Sequence, residues 1–270
     1  TRLRLEMANP DGITKSAGAA EPFIKDAYLK WKNGRSEILL GISSTPTWGV
    51  VENFWGYRSV EKTALDLQKF GSSRDFGVAV KGSLDQNGKA KYHLMIGNGN
   101  SNRSEANKGK KAMLALGYYP SRNTVFEIYG DWIDNPGANN WFTVQGFIGH
   151  KTGKSRFGLQ FAHQTRELAS GEDLNFQIGS AFFTVDVAEK TSLFARVDRM
   201  FDPNPGGNSI SYIPFASNAK STFLLGGVDY APIINVHLMP NVEVVLYDGV
   251  NGSENPNADV LPRMTFFYTF

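Results

Sequence analysis

The chain has 270 residues, with 28 basic against 26 acidic side chains for a net charge of +2, 41% hydrophobic residues and no cysteine. Near-balanced charge excludes a nucleic-acid binder, whose basic surface would dominate, and no run approaches the 18 consecutive apolar residues of a membrane-spanning helix. The length suits one or two soluble domains or one closed barrel, and the slightly negative mean hydropathy fits strands that are apolar on one face and wet on the other.

Fourteen segments of roughly ten residues carry a period-2 pattern, near 1–8, 22–32, 35–42, 74–84, 89–97, 109–119, 123–133, 140–150, 154–165, 173–186, 190–200, 220–230, 233–247 and 259–270. The fourth sets Phe76, Val78 and Val80 against Asp75, Gly77, Ala79 and Lys81; the fifth sets Tyr92, Leu94 and Ile96 against Lys91 and His93. The ninth sets Phe157, Leu159 and Phe161 against Arg156, Gly158 and Gln160, and the eleventh sets Leu193, Ala195 and Val197 against Ser192, Arg196 and Asp198. A bulky apolar face opposite a small and polar one suits a wall with lipid outside and water inside. In the last segment Met264, Phe266, Tyr268 and Phe270 alternate with Arg263, Thr265 and Thr269.

The links alternate in length. Asn33-Gly34, Asp85-Gln86-Asn87-Gly88, the Pro120-Ser121-Arg122 region, Lys151-Thr152-Gly153, Ala188-Glu189 and the Ala231-Pro232 region are tight turns. Between them lie 9–21, 43–73, 98–108, 134–139, 166–172, 201–219 and 248–258. Strict short-long alternation is the turn and loop asymmetry of transmembrane antiparallel β-barrels, and the even strand count agrees. The pattern predicts one all-β barrel domain over 1–270.

The 43–73 link is too long for a plain loop and too well patterned for disorder. Ser59 is placed to cap a short helix in which Val60, Ala64 and Leu67 share a face. Trp48, Phe54, Trp55 and Tyr57 offer aromatic anchors, while Glu52, Arg58, Glu61, Lys62, Asp66, Lys69 and the adjoining Arg74 carry charge. We expect this segment to fold into the lumen as a constriction; an outer cap or an interface loop is the alternative.

Assigning the apolar parity to lipid leaves Arg4, Lys30, Lys81, Lys91, Lys111, Arg156, Arg196 and Arg263 facing inward with His93, against Glu6, Asp26, Glu37, Glu127, Asp131, Asp198, Asp229 and Glu243. So many charges would cost several kcal/mol each in a dry core, so a water-filled interior is expected. Balanced totals predict weak ion preference unless the 43–73 loop segregates the signs.

Chemistry-bearing motifs are sparse. His93, His150, His163 and His237 are scattered without metal spacing, and no nucleophile elbow or phosphate loop occurs. His163 with Ser170 or Asp173 is the one conceivable hydrolytic grouping, and nothing else in the sequence supports it. The loops Asp202–Asn208 and Asp248–Asp259 carry oxygens of the kind calcium takes, although solvated turns are the plainer reading. No cofactor and no enzyme activity are expected.

The run Ile24–Asp75 resembles the bacterial general-porin group, especially the phosphate-selective porins O and P, through Asp26-Ala27-Tyr28-Leu29, Gly41, Thr45-Pro46 and Glu52. Arg2-Leu3-Arg4-Leu5-Glu6 is similar to the family's early Arg-rich strand, and Asn235-Val236-His237-Leu238-Met239-Pro240-Asn241 to a late porin strand. The aromatic end Phe266, Tyr268, Phe270 resembles the closing strand that the outer-membrane insertion machinery reads, which implies an assembly role for those residues. The resemblance implies a trimeric outer-membrane channel of a Gram-negative bacterium, in contact with lipid and lipopolysaccharide, passing small hydrophilic solutes and ions. A plugged adhesive barrel and a barrel hydrolase are the alternatives. The family often has sixteen strands, so fourteen mean a smaller barrel or an absent N-terminal hairpin or leader. The arginine ladder and lysine cluster of phosphate selectivity are not evident, and that specificity is not carried over.

Overall fold

A computed structural model describes residues 1–8, 21–103, 105, 107–137, 139–210, 212–213, 215–249 and 254–270. Fourteen antiparallel strands follow one another in sequence order, each paired with the next. They are β1 (Arg2–Ala8), β2 (Glu21–Asn33), β3 (Ser36–Ser44), β4 (Arg74–Ser83), β5 (Ala90–Gly97), β6 (Lys111–Ser121) and β7 (Thr124–Ile133). Then come β8 (Trp141–Lys151), β9 (Ser155–Arg166), β10 (Leu174–Ala188), β11 (Thr191–Met200), β12 (Lys220–Tyr230), β13 (Val236–Asp248) and β14 (Asp259–Tyr268). This is the transmembrane antiparallel β-barrel that the alternation predicted, with strand ends within about three residues of expectation. β13 starts latest, because Pro232 and the left-handed Asn235 (φ 65°) hold the preceding link in a turn.

The pleat sorts the wall. Phe76, Val78, Leu94, Ile96, Leu159, Phe161, Leu193 and Val197 are exposed on the outer face, and Val260, Met264, Phe266 and Tyr268 continue it on β14. Their neighbours along each strand point inward and are covered, among them Asp75, Ala79, Met95, Gln160, Arg196 and Asp198. The exposed apolar rows and the charged rows therefore fall on opposite sides of one sheet.

The inner face is not uniformly small. Phe147, Phe182, Phe194 and Phe223 also point inward and are buried, which corrects the expectation of a small-residue lumen. They pack against chain that leaves the wall. Helix α1 (Trp48–Trp55) turns Trp48, Val51, Phe54 and Trp55 to one side, steps of three and four residues along a helical stripe, and this stripe docks on β8, β9 and β10. Gly56, at φ 76°, ends α1 in the left-handed conformation and donates its N–H to the Glu52 carbonyl. The Arg156 guanidinium lies so close over Gly56 that a Cβ there would stand 1.8 Å from it.

Helix α2 is short, Ala64–Leu67, and begins after Thr63. The expected helix from Ser59 does not form: residues 58–60 make a turn, with the Val60 and Glu61 N–H groups both donating to the Tyr57 carbonyl. A second link also turns inward. It carries a single helical turn at Gly207–Ser209, and Ile210, Ile213 and Phe215 are buried against Phe223, Leu225, Val245 and Tyr247.

Candidate functional site: the lumen and its inward loops

The 43–73 segment spans the interior, packing on both halves of the wall. Trp55 meets Phe182 with ring centroids 5.4 Å apart, and Tyr57 stacks on Phe194 at 4.4 Å. On the other side Trp48 meets Tyr129 edge-on at 5.5 Å and joins Leu39, Ala79, Met95 and Met113 in a buried apolar layer. Polar ties reinforce the seat: Gln145 Nε2 donates to Thr47 Oγ1 at 2.6 Å, and Gln164 Nε2 to the Phe70 carbonyl at 2.7 Å. Burial, then the Asp229 carboxylate, pushes the Tyr57 phenol up to about 12.

The segment's charges divide. Arg58 is exposed and bridges Glu52 at 3.2 Å and Asp66 at 3.3 Å. Lys62 lies over the Tyr212 ring, and Lys69 donates to the carbonyl and hydroxyl of Ser209 at 2.8 Å each, tying the two inward links together. Partial burial, then Lys62 and Arg103, holds the Lys69 ammonium below its usual range. Glu61 differs from the rest, being buried with Oε1 accepting from the Tyr212 hydroxyl at 2.9 Å. Burial raises its pKa above the glutamate range, opposed first by Arg196. Arg74 stands at the first position of β4, past the segment's end.

Most inward charges of the wall have a partner. Asp26, almost wholly buried, receives Arg2 at 3.4 Å, Arg4 at 3.1 Å and Arg74 at 2.5 Å. Three guanidiniums on one carboxylate leave a local surplus of positive charge. Glu6 pairs with Lys25, and Glu37 with Lys30 at 3.5 Å and Lys32 at 3.3 Å. Lys111 meets Asp131 at 2.9 Å, and Asp131 also accepts from the Tyr129 hydroxyl. Arg196 holds Asp198 through two nitrogens, donates to the Lys62 carbonyl and lies over Trp55 and Phe223. Arg263 meets Glu243 at 3.0 Å, and His237 Nδ1 meets Asp229 at 2.9 Å.

Two cavities flank the start of the loop. One, of about 310 Å³, gathers Lys69, Arg74, Arg103 and Lys111 against Asp75. The other, of about 490 Å³ and nearer the short turns, gathers Arg35, Lys81, Lys91 and His93 against Glu37 and Glu127. Both are richer in basic than in acidic groups.

Sequence reasoning passed over Arg2, Arg35 and Arg103, the inward phenylalanines and the second inward link. Arg2 and Phe194 were legible, since they share the parity of Arg4 and of Arg196; Arg35, Arg103 and the second inward link depend on turn and loop paths that periodicity does not carry. His163 takes the outward parity of Phe161, its Nε2 3.1 Å from Thr165 Oγ1, and Asp173 accepts from the Leu168 N–H. The oxygen-rich loops are engaged within the protein: Asp202 accepts from the Gln177 N–H, Asp248 meets Arg199 and Asp259 accepts from Tyr247. Residues 250–253 of the second loop lie outside the described residues. Among the described residues no three His, Asp or Glu side chains gather as for a metal ion.

No family model matches the sequence, and no curated protein does. Solved structures do match. OmpT, expressed in the outer membrane of Vibrio cholerae, is 12% identical with a TM-score of 0.61, over 91% of this chain and 79% of that one. OccK5 of Pseudomonas aeruginosa is 12% identical with a TM-score of 0.57, over 93% and 72%. The anion-selective porin of Comamonas acidovorans is 9% identical with a TM-score of 0.56, over 88% and 71%. The likeness reaches several kinds of porin without singling out a phosphate-selective group. Strand order, wall parity and these neighbours together give the chain the fold of the outer-membrane β-barrels, porins among them.

Proposed function

We propose that the protein is an outer-membrane channel of a Gram-negative bacterium, passing small hydrophilic solutes and ions by passive diffusion, with 43–73 as its constriction. The observation that carries this reading is the sorting of the wall: an apolar outer face against inward rows that include Asp26, Lys81, Lys111, Arg196, Asp229 and Arg263. Charges arranged so need partners or water; wall residues supply the partners, and a water-filled lumen supplies the water. The unburied side of α1 carries Glu52 and Asn53 toward that lumen, with Arg58 close by.

The mechanism is size exclusion at the loop plus the field of fixed charge in a narrow, low-dielectric passage, where screening is weakest. The basic surplus around Asp26 and in both cavities supports a preference for anions, sharper than the balanced totals implied. Assembly as a homo-oligomer, with lipid and lipopolysaccharide around it, belongs to the same proposal; a trimer form of the Vibrio cholerae protein has been solved.

Reconstitution in a planar bilayer tests the reading. Steady open steps with a reversal potential favouring anions are expected. A correctly folded protein that gives no steps would overturn it in favour of a plugged barrel that binds a partner through its loops. One observation favours that second reading: Trp48, Trp55, Ile213 and Phe215 are all 3% exposed or less, so two links occupy much of the interior.

A further inference from the structure

We infer that the 490 Å³ cavity on the short-turn side is a binding site for a small zwitterion carrying one ammonium and one carboxylate. The inference rests on the channel reading, because a water-filled lumen must deliver the solute.

The 43–73 segment forms part of the cavity's lining. Thr45, Thr47, Gly49 and Val50 are its contributors there. Beyond them Ala79 and Met95 are wholly buried beside Trp48, between this cavity and the smaller one. The volume lies within the range of small-molecule pockets.

Its wall holds an unmatched pair of charges. Glu127 is 5% exposed, and its Oε1 has no hydrogen-bond partner. The Thr47 hydroxyl, itself accepting from Gln145, is the group placed to donate to this carboxyl. The Lys91 ammonium lies 4.3 Å from the centre of the Tyr119 ring. Among the described residues neither Glu127 nor Lys91 has an ion-pair partner, whereas Glu37, the cavity's other carboxylate, is engaged by Lys30 and Lys32.

Register explains why Glu127 and Lys91 do not meet. Lys91 on β5 lies opposite Gly117 on β6, and Gly117 lies opposite Glu127 on β7. Their backbones are two strand spacings apart, about 10 Å; the residue between them, Gly117, has no side chain, and the Tyr119 ring lies over it. A buried carboxylate without a partner is costly. A simple anion entering here would meet that carboxylate, and a simple cation would meet Lys81, Lys91 and Arg35. A solute with both groups satisfies both, its ammonium donating to Glu127 Oε1 and its carboxylate accepting from Lys91. His93 Nε2, also without a partner, adds a further polar contact at the rim.

The test uses the full folded chain with L-alanine as probe, and propionate and ethylammonium as its single-charge halves. Equilibrium binding is measured in detergent, and channel steps are scored separately in bilayers. L-Alanine should bind about tenfold or more tightly than either half, and Glu127→Gln and Lys91→Gln should each lose about that factor. Equal binding of propionate, no binding of L-alanine, or undiminished binding by both variants would overturn the site. Glu127→Gln keeps side-chain size, Lys91→Gln shortens an exposed side chain, and heat-modifiable gel mobility identifies folded protein for both. Channel steps without L-alanine binding would refute this site and leave the channel; L-alanine binding without steps would keep the site and refute the channel.

Discussion

Gly158 lies opposite Phe182 across β9 and β10, and a Cβ on Gly158 would stand 2.1 Å from the Phe182 ring. Gly149 is next in the same row, where a Cβ would stand 2.6 Å from Phe54. Two neighbouring glycines thus make the hollow in which the loop's aromatics and the wall's phenylalanine pack. Gly158→Val should destabilise the folded barrel by about 1–3 kcal/mol, the usual cost of overpacking, read from urea unfolding in lipid vesicles. Phe182→Leu in the same chain should recover part of the loss. No recovery would mean that the ring is not what Gly158 accommodates. By parity alone, an arginine at Gly158 would have been expected to be tolerated; the ring over it makes that substitution among the worst on the wall.

The strands were readable because lipid and water impose a period of two, and Leu159 beside Gly158 shows both faces in two residues. The same logic placed Lys111, Glu127 and Arg196 inward. It gave no reason for Phe182 and Phe194 to stand inward beside Ser180 and Arg196, because an inward aromatic is explained only by what folds against it, and Trp55 and Tyr57 lie more than a hundred residues earlier. It also misplaced the helix: Val50-Val51 and Phe54-Trp55 have strand-like propensity, and burial of one face against β8–β10 overrides it.

The outer face gives a second test. Leu159 is 47% exposed on a mid-wall strand, flanked by Phe157 and Phe161 of the same parity. Leu159→Arg should cost about 2–4 kcal/mol near the bilayer midplane. Cysteine labelling should find position 159 protected in vesicles and reactive only after unfolding. A water-accessible Leu159 in the folded barrel would mean that the strand is inverted.

Arg58 sets the loop's charge. It holds Glu52 and Asp66 together, so removing it uncovers two carboxylates as well as deleting a cation. Arg58→Gln should therefore move the reversal potential toward cations by more than Lys62→Gln, whose ammonium rests on Tyr212. Doubling the variants should shift it further. If Arg58→Gln leaves selectivity unchanged in a folded channel, the field at the narrowest point comes from the wall arginines around Asp26.

Glu61 gives the loop a pH response. Its side chain is 3% exposed; Arg196 and Arg263 bear on it from the wall, with Tyr212 from the second inward link, the Lys62 N–H and the Glu243 carboxylate. Burial raises its pKa, so the folded loop holds this proton more tightly than the unfolded loop does. Between the ordinary glutamate range and the raised value the folded state binds more protons, and loop stability falls as pH rises through that window. Below it the protonated side chain packs without an uncompensated charge. Hydrogen exchange of residues 61–67, corrected for its intrinsic pH dependence, should quicken as pH rises while wall strands stay protected. Glu61→Gln, which keeps the shape and removes the titration, should hold the acid-like exchange at neutral pH and flatten the profile. A variant whose profile still follows the wild type would assign the response to another group, with Glu243 the first to test.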